Sequence, residues 1–216
     1  EATVIARRSL RNTLCSGTAE APMLMLRRLK KDHLPGLPKV RVHRYEETMP
    51  AVQAEAYTAA VNRAKAGGAD KGTMLKALHE MRMVSLHPDI ATAQSADDFV
   101  LSSARLAKMM SVLDDVHANG EKALVFVEFR DVQAVLIELL QRRYRMPSAP
   151  FVINGDVPGD RRKRRVDEFQ DRLGFDVMLL SPRAGGVGLT LTAANHVVHL
   201  ARWWNPAVED QCTDRV

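Results

Sequence analysis

The part of the chain after about residue 120 alternates short apolar segments with amphipathic ones, and this alternation limits the possible folds more than any other feature. Four segments have the length and apolar character of buried strands: residues 122–129, 149–154, 175–181 and 196–201. Between the first three, apolar residues recur at helical spacing. Because parallel strands need long crossover connections, this order predicts an α/β fold with a parallel sheet and helices on both faces.

The N-terminal part is predicted to be mostly helical, because its apolar residues recur every three or four positions. One exception is residues 39–47, where valines alternate with polar residues and a short strand is predicted. Residues 65–72 form a glycine-rich connection, and residues 87–98 have the composition of a linker. We therefore predict two domains, residues 1–96 and residues 97–216.

Several residues are predicted to begin or end helices. Gly120 is placed to end the helix before the first strand, and Asp131 to cap the helix after it. Asn205 and Pro206 are typical of a helix start. In that last helix Gln211 and Arg215 are four positions apart, so we expect them to share a face.

Polar and glycine-rich residues follow each predicted strand, at the edge where ligands bind in open α/β sheets. The four stretches are residues 128–130, 154–156, 181–188 and 202–205. Glycines in the third stretch let backbone amides approach an anion, and Arg183 adds a positive charge beside them. Glycines this close together also form tight structural turns, and the sequence contains no G-x-x-x-x-G-K-[ST] phosphate loop. Both interpretations stay open on the residues alone.

Two tryptophans, Trp203 and Trp204, follow the last predicted strand, where they could stack on bases or pack under the sheet. An arginine after them, such as Arg215, can stabilise transferring phosphoryl charge when another domain holds the phosphates. The pattern therefore favours a phosphate-directed arginine.

Two apparent metal motifs are rejected. Asp167 and Glu168 lie in a charged amphipathic segment rather than after an apolar strand, so they do not form a magnesium-binding box. His196 and His199 are three apart on a strand and point to opposite faces. No metal site is predicted.

The chain carries a formal net charge of +5, and its basic residues cluster at residues 27–31 and 161–165. Such clusters either neutralise nucleic-acid phosphates or form solvated helix faces, and both alternatives stay open. Cys15 and Cys212 have no disulfide or metal spacing. No segment has the length of a membrane span or the pattern of a signal peptide, which predicts a cytoplasmic protein without a membrane partner.

Residues 179–216 resemble motifs V and VI of the SWI/SNF family of helicase-like ATPases, in which S-x-x-A-G-G-x-G-L precedes W-N-P-x-x-E-x-Q and D-R. Other segments are similar to further parts of that family: ALVFVEF to motif IV, INGDVPGDRRKRRVDEF to its G, R and F segment, SSARLAKM to its S-x-K-L helix, and MRMVSLHPD to its L-R-x-x-x-x-H-P connection. The basic stretch from Met25 to Glu47 resembles the one that leaves the first motor lobe. WWNPAVEDQ is most similar to bacterial members, which indicates a prokaryotic source.

The resemblance implies a motor of two RecA-like lobes of the P-loop NTPase type, with ATP between them and duplex DNA across both. Residues 97–216 would be the second lobe, and residues 1–96 a connector from the end of the first. The resemblance further implies functional roles. The catalytic residues would be Arg215 and Gln211; the ATP-binding residues Gly186, Gly188 and Asp214; and the DNA-binding residues Arg130, Asn154, Ser181, Arg183, Ala184, Gly185 and Trp204.

The expected parent protein is an ATP-dependent double-stranded DNA translocase that uses ATP and Mg²⁺. The chain starts at Glu1 and ends within motif VI, so we expect it to be a fragment, inactive alone and without tightly bound cofactors. Its partners would be double-stranded DNA, the N-terminal lobe, and RNA polymerase or another DNA-bound protein, in the nucleoid if the source is bacterial. The alternative is a non-catalytic nucleic-acid-binding or protein-interaction module that retains the shape of the lobe.

Overall fold

The computed structural model describes residues 2–15, 40–66, 71–89, 95–185, 188–203 and 205–216. The chain separates into two compact units, Glu1–Arg44 and Tyr45–Val216. In the first unit, the described residues form helix α1 (Ala2–Cys15) and an irregular, exposed stretch from residue 40.

The second unit holds the α/β part of the chain. It begins with helices α2 (Ala51–Ala66), α3 (Lys71–Leu86), α4 (Ala96–Leu101) and α5 (Ala104–Ala118). There follow β1 (Lys122–Phe126), α6 (Arg130–Arg143), β2 (Phe151–Ile153), α7 (Gly159–Asp171), β3 (Asp176–Leu180), α8 (Pro182–Gly185), β4 (His196–His199) and α9 (Pro206–Thr213). The four strands match the predicted ones, although each is shorter.

The strands form a parallel sheet in the order β2-β3-β1-β4. In its central rows Val125 of β1 lies opposite Leu179 of β3 and Val198 of β4. Helix α6 connects β1 to β2, and α7 connects β2 to β3, so each connection crosses over the sheet as parallel pairing requires. The predicted α/β fold class is confirmed.

Alternate residues of each strand enter two separate hydrophobic cores. Val125 and Leu179 contact the core that includes Leu113 of α5 and Leu136 of α6. Leu124 and Met178, one position earlier in their strands, belong to a second core with Phe169 of α7 and Cys212 of α9. Since successive side chains of a strand point to opposite faces, the two cores lie on the two faces of the sheet. Helices therefore cover both faces, as predicted.

The helix ends agree only in part with the predictions. Asn119 is the C-cap of α5, and Gly120 follows it with a φ of 66°, as expected for a glycine that ends a helix. Asn205 caps α9 by accepting a hydrogen bond from the Ala207 N–H at 3.0 Å. The prediction for Asp131 is wrong, because Phe129 is the N-cap of α6 and Asp131 lies in the first turn.

Two predictions about the N-terminal part are corrected. The described part of the expected strand at residues 39–47 is irregular, and its valines, Val40 and Val42, are 71% and 73% exposed. Alternation alone does not make a strand where no neighbouring strand offers hydrogen bonds. The linker predicted for residues 87–98 ends earlier, because α4 begins at Ala96 after a Ser95 cap.

Buried polar groups join the first helices to the sheet-bearing part of the second unit. Gln53 is fully buried, and its Nε2 donates to the carbonyls of Val84 and Ser85 at the end of α3. Its Oε1 accepts from the Ala104 N–H, the first residue of α5, at 3.1 Å. One amide thus ties α2, α3 and α5 together. The boundary predicted between residues 96 and 97 lies inside this unit and stays a prediction.

Candidate functional site at the carboxyl edge of the sheet

The segments that leave the four strands meet at one edge of the sheet. Backbone hydrogen bonds extend the ladder there: Val127 N–H donates to Leu180, Ser181 N–H to Ile153, and Leu200 N–H to Phe126, at 2.9, 3.0 and 3.2 Å. The described polar residues that follow each strand therefore lie along a single edge, which we call the carboxyl edge.

Arg130 and Asn154 lie beyond β1 and β2. Arg130 Nη1 is 2.7 Å from Asp156 Oδ2, and both side chains are about 60% exposed. Asn154 Nδ2 donates to Gln133 Oε1 at 2.9 Å, and Gln133 Nε2 donates to the Val127 carbonyl at 2.8 Å. Gln133 is buried and fixes the orientation of the Asn154 side chain, whereas the Arg130 side chain is exposed at the surface.

The stretch after β3 carries Arg183 and the glycines. Ser181 is half-buried, and Arg183 is exposed on α8. Ala184 and Gly185 end that helix, and Gly186 lies outside the described residues. Gly188 has a φ of 48°, in the left-handed region that favours glycine. Gly188 lies five residues after Arg183, and the anion-binding and structural-turn interpretations of this stretch both stay predictions.

Glu209 organises the segment after β4. Its Oε1 accepts the Trp203 N–H at 2.5 Å, and its Oε2 is 3.0 Å from Arg202 Nε. The Glu209 side chain is 13% exposed, whereas Arg202 is 72% exposed. Trp203 is half-buried, and the guanidinium of Arg82 lies 5.6 Å from the centroid of its ring. Trp204 lies outside the described residues.

Gln211 and Arg215 do not share a helix face, which corrects the prediction. Helix α9 ends at Thr213, with Asp214 as its C-cap, so Arg215 lies beyond the helix. The Leu191 N–H donates to the Arg215 carbonyl at 2.9 Å, which joins this segment to the one after β3. Gln211 is exposed and Arg215 half-buried.

Two titratable side chains hold α9 against the sheet. Cys212 is fully buried, its Sγ is 3.6 Å from the Pro182 carbonyl, and burial raises the pKa of its thiol to about 11. His199 Nε2 is 3.1 Å from Thr213 Oγ1, and its ring stacks on Phe126. Burial lowers the pKa of His199, although Glu209 opposes this shift. Both groups are therefore neutral near pH 7.

Within the part of the chain that the structure describes, no group of three His, Cys, Asp or Glu side chains could hold a metal ion. Asp167 and Glu168 are exposed on α7, the helix expected for them. His196 and His199 have different partners, Glu121 and Thr213. None of the described helices is long and apolar enough to cross a membrane.

Three residues of the carboxyl edge were missed by the sequence analysis. Glu209 could have been found, because it is the glutamate of the W-N-P-x-x-E pattern. Gln133 is a polar residue on the buried face of an amphipathic helix, which is a weak signal. Arg82 is far in the sequence from the strands of the sheet. Its position in the L-R-x-x-x-x-H-P segment was the one available signal, and that signal does not predict a contact with the carboxyl edge.

The family model for the helicase conserved C-terminal domain matches residues 104–216. The chain belongs to this family. The solved C-terminal domain of the Sulfolobus solfataricus SWI2/SNF2 ATPase superposes on this helicase C-terminal domain with a TM-score of 0.63 and 26% identity, covering 73% of this chain and 70% of that one. The C-terminal part of the Fun30 ATPase domain has the same fold, with a TM-score of 0.67 at 19% identity.

Two bacterial proteins are similar in sequence to this helicase C-terminal domain. Zorya protein ZorD of Escherichia coli O139:H28 is 33% identical over 205 residues, and the putative ATP-dependent helicase/translocase YwqA of Bacillus subtilis is 34% identical over 146 residues. These matches cover 88% and 67% of the chain, but only 19% of ZorD and 16% of YwqA. The predicted kinship with the C-terminal RecA-like lobe of SWI/SNF ATPases is confirmed, while the roles of single residues stay predictions.

Proposed function

We propose that this domain is the second lobe of an ATP-driven translocase on double-stranded DNA, and that it supplies motifs IV to VI to an ATP site shared with a preceding lobe. One observation carries the proposal: a helicase C-terminal domain gathers the segments after its four parallel strands at one edge of the sheet, and Arg215 comes two residues after Thr213, which contacts His199 at the end of β4. That edge is where ligands bind in open α/β folds.

The nucleotide role rests on the segments around α9. Bound ATP with Mg²⁺ would supply the phosphoryl group that is transferred to water. Arg215 would place its positive charge near the phosphates, with Gln211, Asp214, Gly186 and Gly188 around it. These residues can complete a phosphate site but cannot build one, since the sequence has no phosphate loop. We therefore expect no tight nucleotide binding and no hydrolysis by this chain alone.

The DNA role rests on the segments after β1, β2 and β3. Arg130 and Arg183 present exposed guanidinium groups, which neutralise phosphates and release counterions. Asn154 and Ser181 follow β2 and β3 and would add neutral hydrogen-bonding groups, and Ala184, Gly185 and Trp204 would complete the expected contact surface. The ion pair of Arg130 with Asp156 is solvent-exposed and therefore weak, so a phosphate can replace the carboxylate.

The test is an Arg215→Ala substitution in the two-lobed parent protein. DNA-stimulated ATP turnover should fall about 10³-fold, the size of an arginine-finger effect, whereas the KM for ATP should change little. Arg142→Ala is the matched control, because Arg142 is 76% exposed and pairs only with a neighbouring turn of α6 among the contacts described, at Glu138. Unchanged turnover in Arg215→Ala contradicts the assignment.

A second measurement separates the motor from the alternative of a non-catalytic module. The wild-type parent should hydrolyse ATP, and its affinity for duplex DNA should fall steeply with salt. Salt-dependent DNA binding without hydrolysis would instead support the binding module. Capture of RNA polymerase or another DNA-bound protein would add a cargo, and if the source is a bacterium, the protein would be found at the nucleoid.

A further inference from the structure

Helix α3 brings Arg82 to the carboxyl edge, although neither the nucleotide role nor the DNA role uses it. Arg82 belongs to the MRMVSLHPD segment, more than 40 residues before β1 ends. Its Nη2 lies 2.5 Å from Glu128 Oε2, in the segment that leaves β1, and the two side chains are 22% and 29% exposed. A charge pair this sheltered from water is screened less than one at the surface.

The same guanidinium also contacts the segment that leaves β4. It lies 5.6 Å from the centroid of the Trp203 ring, within the range of a cation–π interaction. Arginine suits this double contact, because its planar group can bind a carboxylate at its edge while its face covers an aromatic ring. Arg82 therefore bridges the ends of two adjacent strands, β1 and β4.

Contacts continue from Trp203 into α9. The Trp203 N–H donates to Glu209 Oε1, and Glu209 Oε2 binds Arg202. Glu209 lies in the first turn of α9, the helix that ends two residues before Arg215. A continuous set of contacts thus runs from α3 through Arg82, Trp203 and Glu209 to the segment that carries Arg215.

Other groups keep this arrangement rigid. Arg105 of α5 donates from Nη1 to the Leu200 carbonyl at 3.1 Å, at the start of the same β4–α9 segment. Ser103 Oγ donates to the Leu86 carbonyl at 2.6 Å, and buried Gln53 binds the last turn of α3. Helix α3 cannot shift relative to α5 without breaking the buried hydrogen bonds of Gln53 and Ser103, which are costly to lose.

We infer that Arg82 is a positioning residue, which holds the β4–α9 segment and thereby orients α9 and Arg215 for the reaction. This inference rests on the proposed function for its catalytic consequence, but its structural part does not. A small displacement of a catalytic group is enough to slow a reaction strongly, with a ~1 Å error costing up to ~10²-fold. The helices before the sheet would then act on turnover without touching nucleotide or DNA.

The structural part is tested by tryptophan fluorescence on this 216-residue chain, whose two tryptophans are Trp203 and Trp204. Arg82→Ala should shift the emission to longer wavelength and increase quenching by acrylamide, because the indole loses its cover. The control is Arg63→Ala, which removes an exposed Arg–Glu pair between α2 and α3 that does not reach the carboxyl edge. Its emission should match the wild type. Far-UV circular dichroism establishes that each variant is folded.

The catalytic part is tested in the two-lobed parent. Arg82→Ala should lower kcat about tenfold with little change in the KM for ATP, because the residue orients a group rather than binding the nucleotide. Arg82→Lys keeps the charge pair but loses the planar stack, so it should recover part of the lost turnover. Arg63→Ala should leave turnover unchanged.

Each outcome has a defined meaning. Unchanged emission in Arg82→Ala overturns the bridging role, and shifted emission with unchanged kcat overturns the catalytic consequence. Equal kcat in the Arg82→Ala and Arg63→Ala variants would attribute any loss to general destabilisation of the helices, which also overturns it. Failure of the proposed function is distinct, because it appears as unchanged turnover in Arg215→Ala while the fluorescence shift remains.

Discussion

The two edges of the sheet use charged residues in opposite ways. At the amino edge, Lys122 begins β1 and is 6% exposed, and its Nζ donates to the carbonyls of Phe169 and Gln170 at 2.6 and 3.1 Å. Asp176 begins β3, is 1% exposed and binds Arg172 at 3.0 Å. At the carboxyl edge, by contrast, Arg130 and its partner are both about 60% exposed.

We propose that the burial of a charged residue at a strand end, rather than its type, separates structural from functional use. Lys122 is buried and donates to two main-chain carbonyls, so it is poorly placed to bind a ligand, and its removal leaves both carbonyls without their donor. An exposed arginine contributes little to stability and can exchange its partner. Substitutions at the two edges should therefore separate stability from function.

The largest effect is expected for Lys122→Ala at the amino edge. It leaves two main-chain carbonyls without their donor and removes the positive charge near buried Asp176. The free energy of unfolding should fall by about 3 kcal/mol. Urea denaturation of both proteins gives this difference.

The control for that measurement is Lys108→Ala. Lys108 also pairs with a carboxylate, Glu47 at 3.0 Å, but the side chains are 31% and 45% exposed. Its loss should cost about 0.5 kcal/mol. If Lys122→Ala costs no more than Lys108→Ala, the contrast between the edges is wrong.

An intermediate effect is expected for the pH dependence of stability at His199. Burial lowers its pKa below the 6.5 of an exposed histidine, so protons bind more readily to the unfolded chain. The contribution of His199 is therefore fully present above pH 6.5 and is lost as the pH falls through the lowered pKa. His199→Gln should flatten the stability curve in this acidic window.

The measurement is urea unfolding of the wild type and His199→Gln across pH 5 to 8, a span covering about 1.5 units on either side of the reference pKa of ~6.5. His87, whose pKa is also lowered by burial, is present in both proteins, so the difference between the curves reports His199 alone. Parallel curves would show that protonation of His199 is not coupled to folding.

The smallest effect on stability is expected for Arg130→Ala at the carboxyl edge. Its exposed pair with Asp156 should contribute less than about 0.5 kcal/mol to the free energy of unfolding. In the parent protein, the same substitution should lower DNA affinity and reduce the salt slope by about 1. Arg142→Ala, near the other end of α6, should change neither quantity. A large loss of stability in Arg130→Ala would remove the distinction between the edges.

Much of the fold could be predicted because β1 and β3 are buried on both faces, which makes each an apolar run between helical segments. The strand order could not be predicted. The position of β3 between β1 and β2 depends on the direction in which each crossover connection runs, and no local sequence pattern gives that direction. The valines at residues 40 and 42 have strand alternation, but none of the described strands pairs with them, so the local pattern gave a wrong prediction there.

The candidate site was predictable in its position but not in its contacts. Arg130, Asn154 and Ser181 follow strands, and a parallel sheet necessarily brings them to one edge. The bridge from Arg82 to Trp203 depends on how α3 packs against the sheet, and this packing leaves no local signal. Arg215 was misplaced on a helix face because the helix ends at Thr213, two residues before it.

The hydrogen bond from the Leu191 amide to the Arg215 carbonyl joins two segments through their main chains. Main-chain groups have less conformational freedom than side chains, so this hydrogen bond restrains the two segments relative to each other. A displacement of the turn at Gly188, three residues before Leu191, would therefore be passed to the segment that carries Arg215. Under the proposed function, this one main-chain hydrogen bond would help to fix the distance between the DNA-binding and ATP-binding segments.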